Sequence, residues 1–292
     1  MGASLRYWSA VIPKNQPVGG QAPVVQRIRI RYAKRGPLRF TSHRDFARAF
    51  ERALRRAAVP IAFSQGFTPH PKISYASAAP TGVGSEAEYL EIGLQAPVHP
   101  ADLRAALDAA LSPGLDVLDA VIAREGTSLA DRIEASRWRL ELPGVGGEDA
   151  ERAVAAFLAA GEVPVERLTK QGRRSFDARA AVISLTAAEA VPLPAPGPPD
   201  GAENRGPKAG TEPSGAPSGA GGARCAILDL VVRQVTPAVR PDDVLSGLRV
   251  VAGLEPPVPP RVTRLAQGTL TPRGEIVDPL DADREDVPIG GR

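Results

Sequence analysis

The chain has 292 residues, 43% of them hydrophobic, and a formal charge of +3, so it is long enough to bury a sizeable core and to form roughly two domains. Its one cysteine, Cys225, excludes an internal disulfide and any cysteine-built zinc or iron-sulfur site within a single chain, including the CxxxCxxC ligand set of an enzyme that cleaves S-adenosylmethionine. The histidines, His43, His70 and His99, are scattered, which leaves little material for a metal centre, and no cofactor is expected in this chain.

Residues 1–24 lack an apolar core of signal-peptide length, and Arg6 stands where a myristoylation signal requires Ser or Thr. No apolar run reaches the roughly 18 residues that span a bilayer. These residues read as the flexible leader of a cytoplasmic protein with no membrane partner. From Val25 the chain alternates, with Ile28, Ile30 and Tyr32 on one side and Arg27, Arg29 and Arg31 on the other, the period of a half-buried strand. A helix follows, with Thr41 or Ser42 as N-cap and Asp45 at capping-box spacing from Ser42. Phe46, Ala49, Phe50, Ala53, Leu54 and Ala57 form its apolar stripe, and Arg44, Arg48, Arg52, Arg55 and Arg56 lie opposite.

Two strands are predicted at residues 72–79 and 88–94, then a helix at 99–110 and a strand at 115–123. This βαββαβ order over residues 25–125 is the ferredoxin-like pattern, an antiparallel sheet with helices on one face. The second half repeats it over residues 136–272. A strand at 137–142 and a helix at 148–160 lead to a strand region ending at 185. Another strand at 225–235, a helix at 241–253 with Pro241 near N1 and a strand at 261–267 complete the repeat. Residues 187–223 are rich in Pro, Gly and Ala, cannot pack a core, and read as a disordered insertion. Residues 273–292 read as a loose tail. The expected fold class is therefore α+β, two tandem ferredoxin-like domains.

Charge is concentrated in one block. Residues 25–75 hold twelve Lys or Arg against only Asp45 and Glu51, about +10, which leaves about −7 for the rest of the chain. Such asymmetry points to an anionic partner. The arginines of the predicted helix could track successive phosphates or form a solvated face. Arg27, Arg29 and Arg31 would project from the uncovered face of the sheet, where related folds present RNA-binding surfaces, or would pair with Glu88 and Glu91 on a neighbouring strand. His43 sits beside a helix N-terminus that favours anions and could serve as an acid or base; its alternative role is in the capping turn.

In the loop Ser64-Gln65-Gly66-Phe67-Thr68-Pro69-His70-Pro71-Lys72, glycine permits an unusual backbone angle and the prolines stiffen the segment. Ser64, Gln65, Gly66 and His70 are its ligand-loop candidates, with Lys72 beside them; Phe67 is expected to plug the core. Gly82-Val83-Gly84 lacks a third glycine and a strand-to-helix context and reads as a tight turn. Cys225 reads as a small buried hydrophobe.

Thr41-Ser42-His43-Arg44-Asp45, the Arg52 to Arg56 helix end and the Ser64 to Pro71 loop, with their flanks from Val25 to Leu94, resemble the bacterial radical-SAM-linked protein family, a domain of unknown function. That resemblance implies a separate radical-SAM enzyme as partner, and a connection with RNA through the neighbourhood of an E/G-type ribonuclease. The leading expectation is thus an accessory protein without catalysis of its own, holding RNA or another anionic substrate through its basic first domain. Two alternatives stand beside it: an RNA-processing or RNA-modifying enzyme that uses His43 or His70, and a module for protein interaction only.

Overall fold

Alternating isoleucines and arginines give the central strand of the N-terminal sheet, and a capped amphipathic helix packs against its apolar side. The computed structural model describes residues 22–65, 67–126, 128–169, 172–188 and 224–284. Gly66, the leader through residue 21, residues 189–223 of the expected insertion and the tail beyond 284 lie outside them. The chain begins with β1 (Gln26–Lys34), α1 (His43–Arg56), β2 (Ile73–Ala76), β3 (Gly84–Leu94), α2 (Pro100–Ala110) and β4 (Val117–Ile122). It continues with β5 (Ala135–Pro143), α3 (Gly147–Ala159), β6 (Pro164–Thr169), β7 (Gly172–Asp177), β8 (Val182–Ala188) and β9 (Cys225–Arg233). Last come α4 (Pro241–Ala252), β10 (Arg261–Leu270), β11 (Ile276–Val277) and α5 (Asp281–Arg284). The fold is mixed α+β, with a large, mostly antiparallel sheet and five helices among the described residues. No helix among them is long and apolar enough to cross a membrane.

The chain divides into two compact units, the first comprising Met1–Arg139, Val231–Val239 and Val262–Arg292, the second Leu140–Leu230 and Arg240–Arg261. In the first unit β1 pairs antiparallel with β3 on one side and with β4 on the other, and β2 pairs antiparallel with the far side of β3. The observed order is therefore β4-β1-β3-β2, with β10 joining β3 in parallel at Thr263 and Gly84. Ile28, Ile30 and Tyr32 of β1, Leu90 and Ile92 of β3, Phe46, Phe50 and Leu54 of α1, and Leu103 and Leu107 of α2 form one buried cluster. The core of this unit lies between α1, α2 and one sheet face because the strand period of two and the helix period near 3.6 each gather apolar side chains onto one side.

The opposite sheet face departs from expectation. Instead of lying open, it carries a second buried cluster in which Ala87, Tyr89 and Val121 meet Leu129, Ile133 and Leu280. Leu280 belongs to the segment expected to be a loose tail. That segment, as far as residue 284, forms β11 paired with β10, and then α5. Apolar burial at Leu280 and carboxylates at Asp278 and Asp283 hold it, and a tail composition cannot announce contacts made more than 150 residues away in sequence.

In the second unit β9 lies between β5 and β8, and β6 and β7 form a separate hairpin. β8 extends to Ala188, two residues into the expected insertion. Gly247 of α4 permits a close approach: a Cβ there would lie 2.7 Å from the Phe157 ring of α3 and 2.9 Å from Val163. Asp243, buried at the start of α4, accepts from the Arg240 amide at 2.7 Å and from the Arg167 guanidinium, which also lies over the Phe176 ring.

Candidate nucleic-acid interface

The three β1 arginines are not equivalent. Arg29 is fully buried. Its guanidinium donates to Glu91 at 2.9 Å and to both carboxylate oxygens of Asp283 at 2.9 Å. Arg132 reaches the same Asp283 at 2.7 Å, and the Arg124 amide donates to it at 2.9 Å. Burial pushes the Asp283 carboxyl up, but the hydrogen bonds from Arg132, the Arg124 amide and Arg29 outweigh it and hold the group below the usual carboxylate range. Arg31 donates to Asp278 at 2.9 Å and to the Glu86 carbonyl at 2.9 Å, and Tyr89 donates to the same Asp278. Arg27 remains half exposed beside Glu91 at 3.1 Å. Of the two alternatives for these arginines, pairing with Glu91 is the one seen at Arg29, and Asp283 and Asp278, which the alternation did not name, hold Arg29 and Arg31. Glu91, directly opposite Arg29 in the β1–β3 register, is one of the two acids the strand alternation named.

Glu88, the other, turns to the helix-covered face. There it forms a buried ion pair with Arg264 of β10, whose guanidinium lies 5.3 Å from the Trp138 ring centroid and 3.2 Å from the Gln267 carboxamide oxygen. The second Glu88 oxygen accepts from the Ala79 amide at 3.0 Å, and Lys34 donates to the Ala79 and Pro80 carbonyls. Burial lowers the pKa of Lys34. This polar cluster ties down the loop before β3, where Gly82 has φ +89° and donates its amide to the Arg39 carbonyl, a turn as expected.

The arginines of α1 behave oppositely. Ser42 caps the helix, accepting from the Asp45 amide at 3.2 Å and donating to the Asp45 carboxylate at 2.7 Å. Phe46, Phe50, Ala53 and Leu54 face the core, which leaves Arg44, Arg48, Arg52, Arg55 and Arg56 exposed. Arg48 has Asp45 at 3.9 Å, and Arg56 donates to the Ala110 carbonyl. Among the described residues Arg44, Arg52 and Arg55 have no ion-pair partner. Lys72 is also exposed.

The 64–70 loop stands beside this helix. The Ser64 amide donates to the His70 carbonyl at 2.8 Å and the Ser64 hydroxyl accepts from the His70 amide at 3.0 Å, so the loop closes on itself; outside it, the Lys72 backbone amide donates to the Ala62 carbonyl. The closure points Phe67 outward at full exposure, not into the core. Phe46, Phe50 and Ile61, with Phe63 packed against them, already fill the space beneath. Gln65 and His70 are exposed as expected. Pro69, His70 and Pro71 meet Glu51, Leu54 and Arg55 of α1 around a cavity of about 220 Å³.

His43, the first residue of α1, is exposed and sets its ring edge-on to Tyr75 at 4.8 Å. It lies three turns from Arg55, about 18 Å along the helix axis, so the two candidate histidines are not brought together into one acid–base pair. The Tyr75 hydroxyl is buried without a hydrogen-bond partner among the described residues, and burial, with Glu51 nearby, raises its pKa.

A protein-family model described as "Uncharacterized protein conserved in bacteria (DUF2344)" matches residues 27–241. The chain belongs to this family. No curated protein matches the chain.

In this DUF2344 protein the matched range holds β1, α1 and the 64–70 loop, and it ends before Arg264, Asp278 and Asp283. Sequence reasoning placed Arg55 in the basic row and missed that Glu51 and Arg55 line one cavity. Their spacing of four residues on one helix was the available signal, because it places them on neighbouring turns of one face. It misplaced Phe67, since an aromatic residue between loop polar residues carries no mark of its direction. Cys225 is buried as expected, and burial pushes its thiol pKa up, which argues against a nucleophile.

Proposed function

We propose that this protein binds single-stranded RNA through its first unit and presents it to a separate radical-SAM enzyme, the partner that the family resemblance implies. The observation that carries the binding half is the exposed row of guanidinium groups on α1, short of carboxylate partners, beside a closed loop that holds Phe67 out into solvent. Guanidinium groups at helical spacing neutralise successive phosphates, and an exposed aromatic ring offers a stacking platform to an unpaired base; this is the combination that single-strand binders use. The interface is thus the helix and loop, not the sheet face, whose arginines are internally neutralised. The order β4-β1-β3-β2 with two helices on one face supports a ferredoxin-like first unit, and β5, α3, β8, β9 and α4 follow the same succession in the second. A partner must bring any iron-sulfur chemistry, since one cysteine cannot ligate a cluster.

Fluorescence anisotropy with a labelled single-stranded RNA at several salt concentrations tests the binding. Phe67→Ala is expected to weaken it about tenfold. Reversing Arg48 and Arg52 to Glu is expected to abolish it, or to make the slope of log affinity against log salt shallower by about 0.7 for each phosphate no longer neutralised. Binding that both variants leave unchanged would overturn this interface. Co-purification from the native cell, before and after ribonuclease, tests the second half: a radical-SAM protein that remains bound is the expected result, and its absence in both samples removes the accessory role.

A further inference from the structure

The cavity between α1 and the 64–70 loop has the volume and chemistry of a site for one flat, polar ring. At about 220 Å³ it lies below the range of roughly 300–1,000 Å³ typical of sites for drug-sized ligands. Leu54, Phe63 and the two prolines, Pro69 and Pro71, supply apolar walls, and Glu51, Arg55 and His70 supply the polar groups. Glu51 and Arg55 stand at i and i+4 with the acid N-terminal, the orientation that favours a helical ion pair. Among the described residues they form no such pair, and neither has another ion-pair partner. A carboxylate and a guanidinium within pairing reach, both lining one cavity and both uncommitted, match a ligand that carries donors and acceptors side by side.

Resting on the RNA-binding reading above, we propose that this cavity recognises guanine. The Watson–Crick edge of guanine offers two adjacent donors, N1–H and the 2-amino group, which a carboxylate accepts as a pair, and its O6 and N7 form the acceptor pair to which arginine donates. Glu51 takes the first role and Arg55 the second. Uracil has one donor between two carbonyls and would set an oxygen against the carboxylate. Adenine and cytosine each put an acceptor next to their amino donor. His70, held in place by the Ser64–His70 closure, forms the outer wall with the prolines. The other α1 arginines hold the phosphates and Phe67 stacks a neighbouring base, so the cavity adds selection to a surface that otherwise reads only backbone and ring faces.

The test compares two six-nucleotide RNAs, all uridine and the same with one central guanosine, by anisotropy at fixed salt. A preference on the order of tenfold for the guanosine oligomer is expected from one bidentate contact. Inosine in place of guanosine, lacking the 2-amino donor, is expected to lose most of that gain. Free GMP, and not AMP, is expected to compete it away. Glu51→Gln, whose carboxamide cannot accept both donors, is expected to bring the ratio of the two affinities close to one. Equal binding of the two oligomers by the unaltered protein overturns the guanine site and leaves RNA binding in place. Binding of GMP with no binding of either oligomer overturns the RNA reading and keeps the guanine site, with a free nucleotide as its occupant. Binding of neither overturns both.

Discussion

Two rows of arginine lie within thirty residues of one another and meet opposite fates. On β1, Arg29 has no exposure and bridges Glu91 and Asp283, and Arg31 bridges Asp278 and a backbone carbonyl. On α1, Arg44, Arg52 and Arg55 stand in solvent with no ion-pair partner among the described residues. The same residue type at the same local density is structural in one place and available in the other. Local charge excess therefore marks a region and not a surface. What separates the two rows is which acids the fold brings to them, and two of the three acids for β1, Asp278 and Asp283, lie about 250 positions away.

The comparison can be broken or sharpened by three measurements. The largest effect is expected from Arg29→Ala, which leaves Asp283 and Glu91 beside an empty site in the interior; removing one partner of a buried pair costs about 3–5 kcal/mol. The urea unfolding midpoint reads this directly, and a change below about 1 kcal/mol would put Arg29 on a par with a surface residue. Acid gives the next effect. Asp283 has a folded-state pKa below its unfolded value of about 3.9, so its contribution is complete above that value and is lost as the pH falls through the lower, folded value. A series of urea midpoints between about pH 5 and pH 2 is expected to fall, and Asp283→Asn is expected to lose part of that slope. Identical acid profiles for the two proteins would remove the role assigned to this carboxylate. The smallest effect on stability belongs to Arg52→Ala on α1, expected within about 0.5 kcal/mol of the unaltered protein. A larger loss would show that the exposed row also carries structure.

Much of the fold was legible because its signals are local. The alternation at 27–32 reads as β1, the stripe from Phe46 to Leu54 reads as the buried face of α1, and Ser42 with Asp45 reads as the cap. Pro241 marks the start of α4 for the same kind of reason. β11 and α5 were not legible, since two and four residues carry too little period to register against a polar background. In the candidate interface, the exposure of Gln65 and His70 was legible from their polarity. The direction of Phe67 was not, because it depends on the Ser64–His70 closure and on a core already filled by Phe46, Phe50 and Ile61.

The sequence by itself determined the strands and helices of the first βαββαβ succession, the cap of α1 and the position of the basic block, all of which depend on residues within a few turns of one another. Only the tertiary structure decided which arginines remain open, where Glu88 finds its counter-charge and what Glu51 and Arg55 share with His70. Ion pairs and cavities form between residues distant along the chain, and the identity of a charged side chain does not specify the neighbour that folding will bring to it.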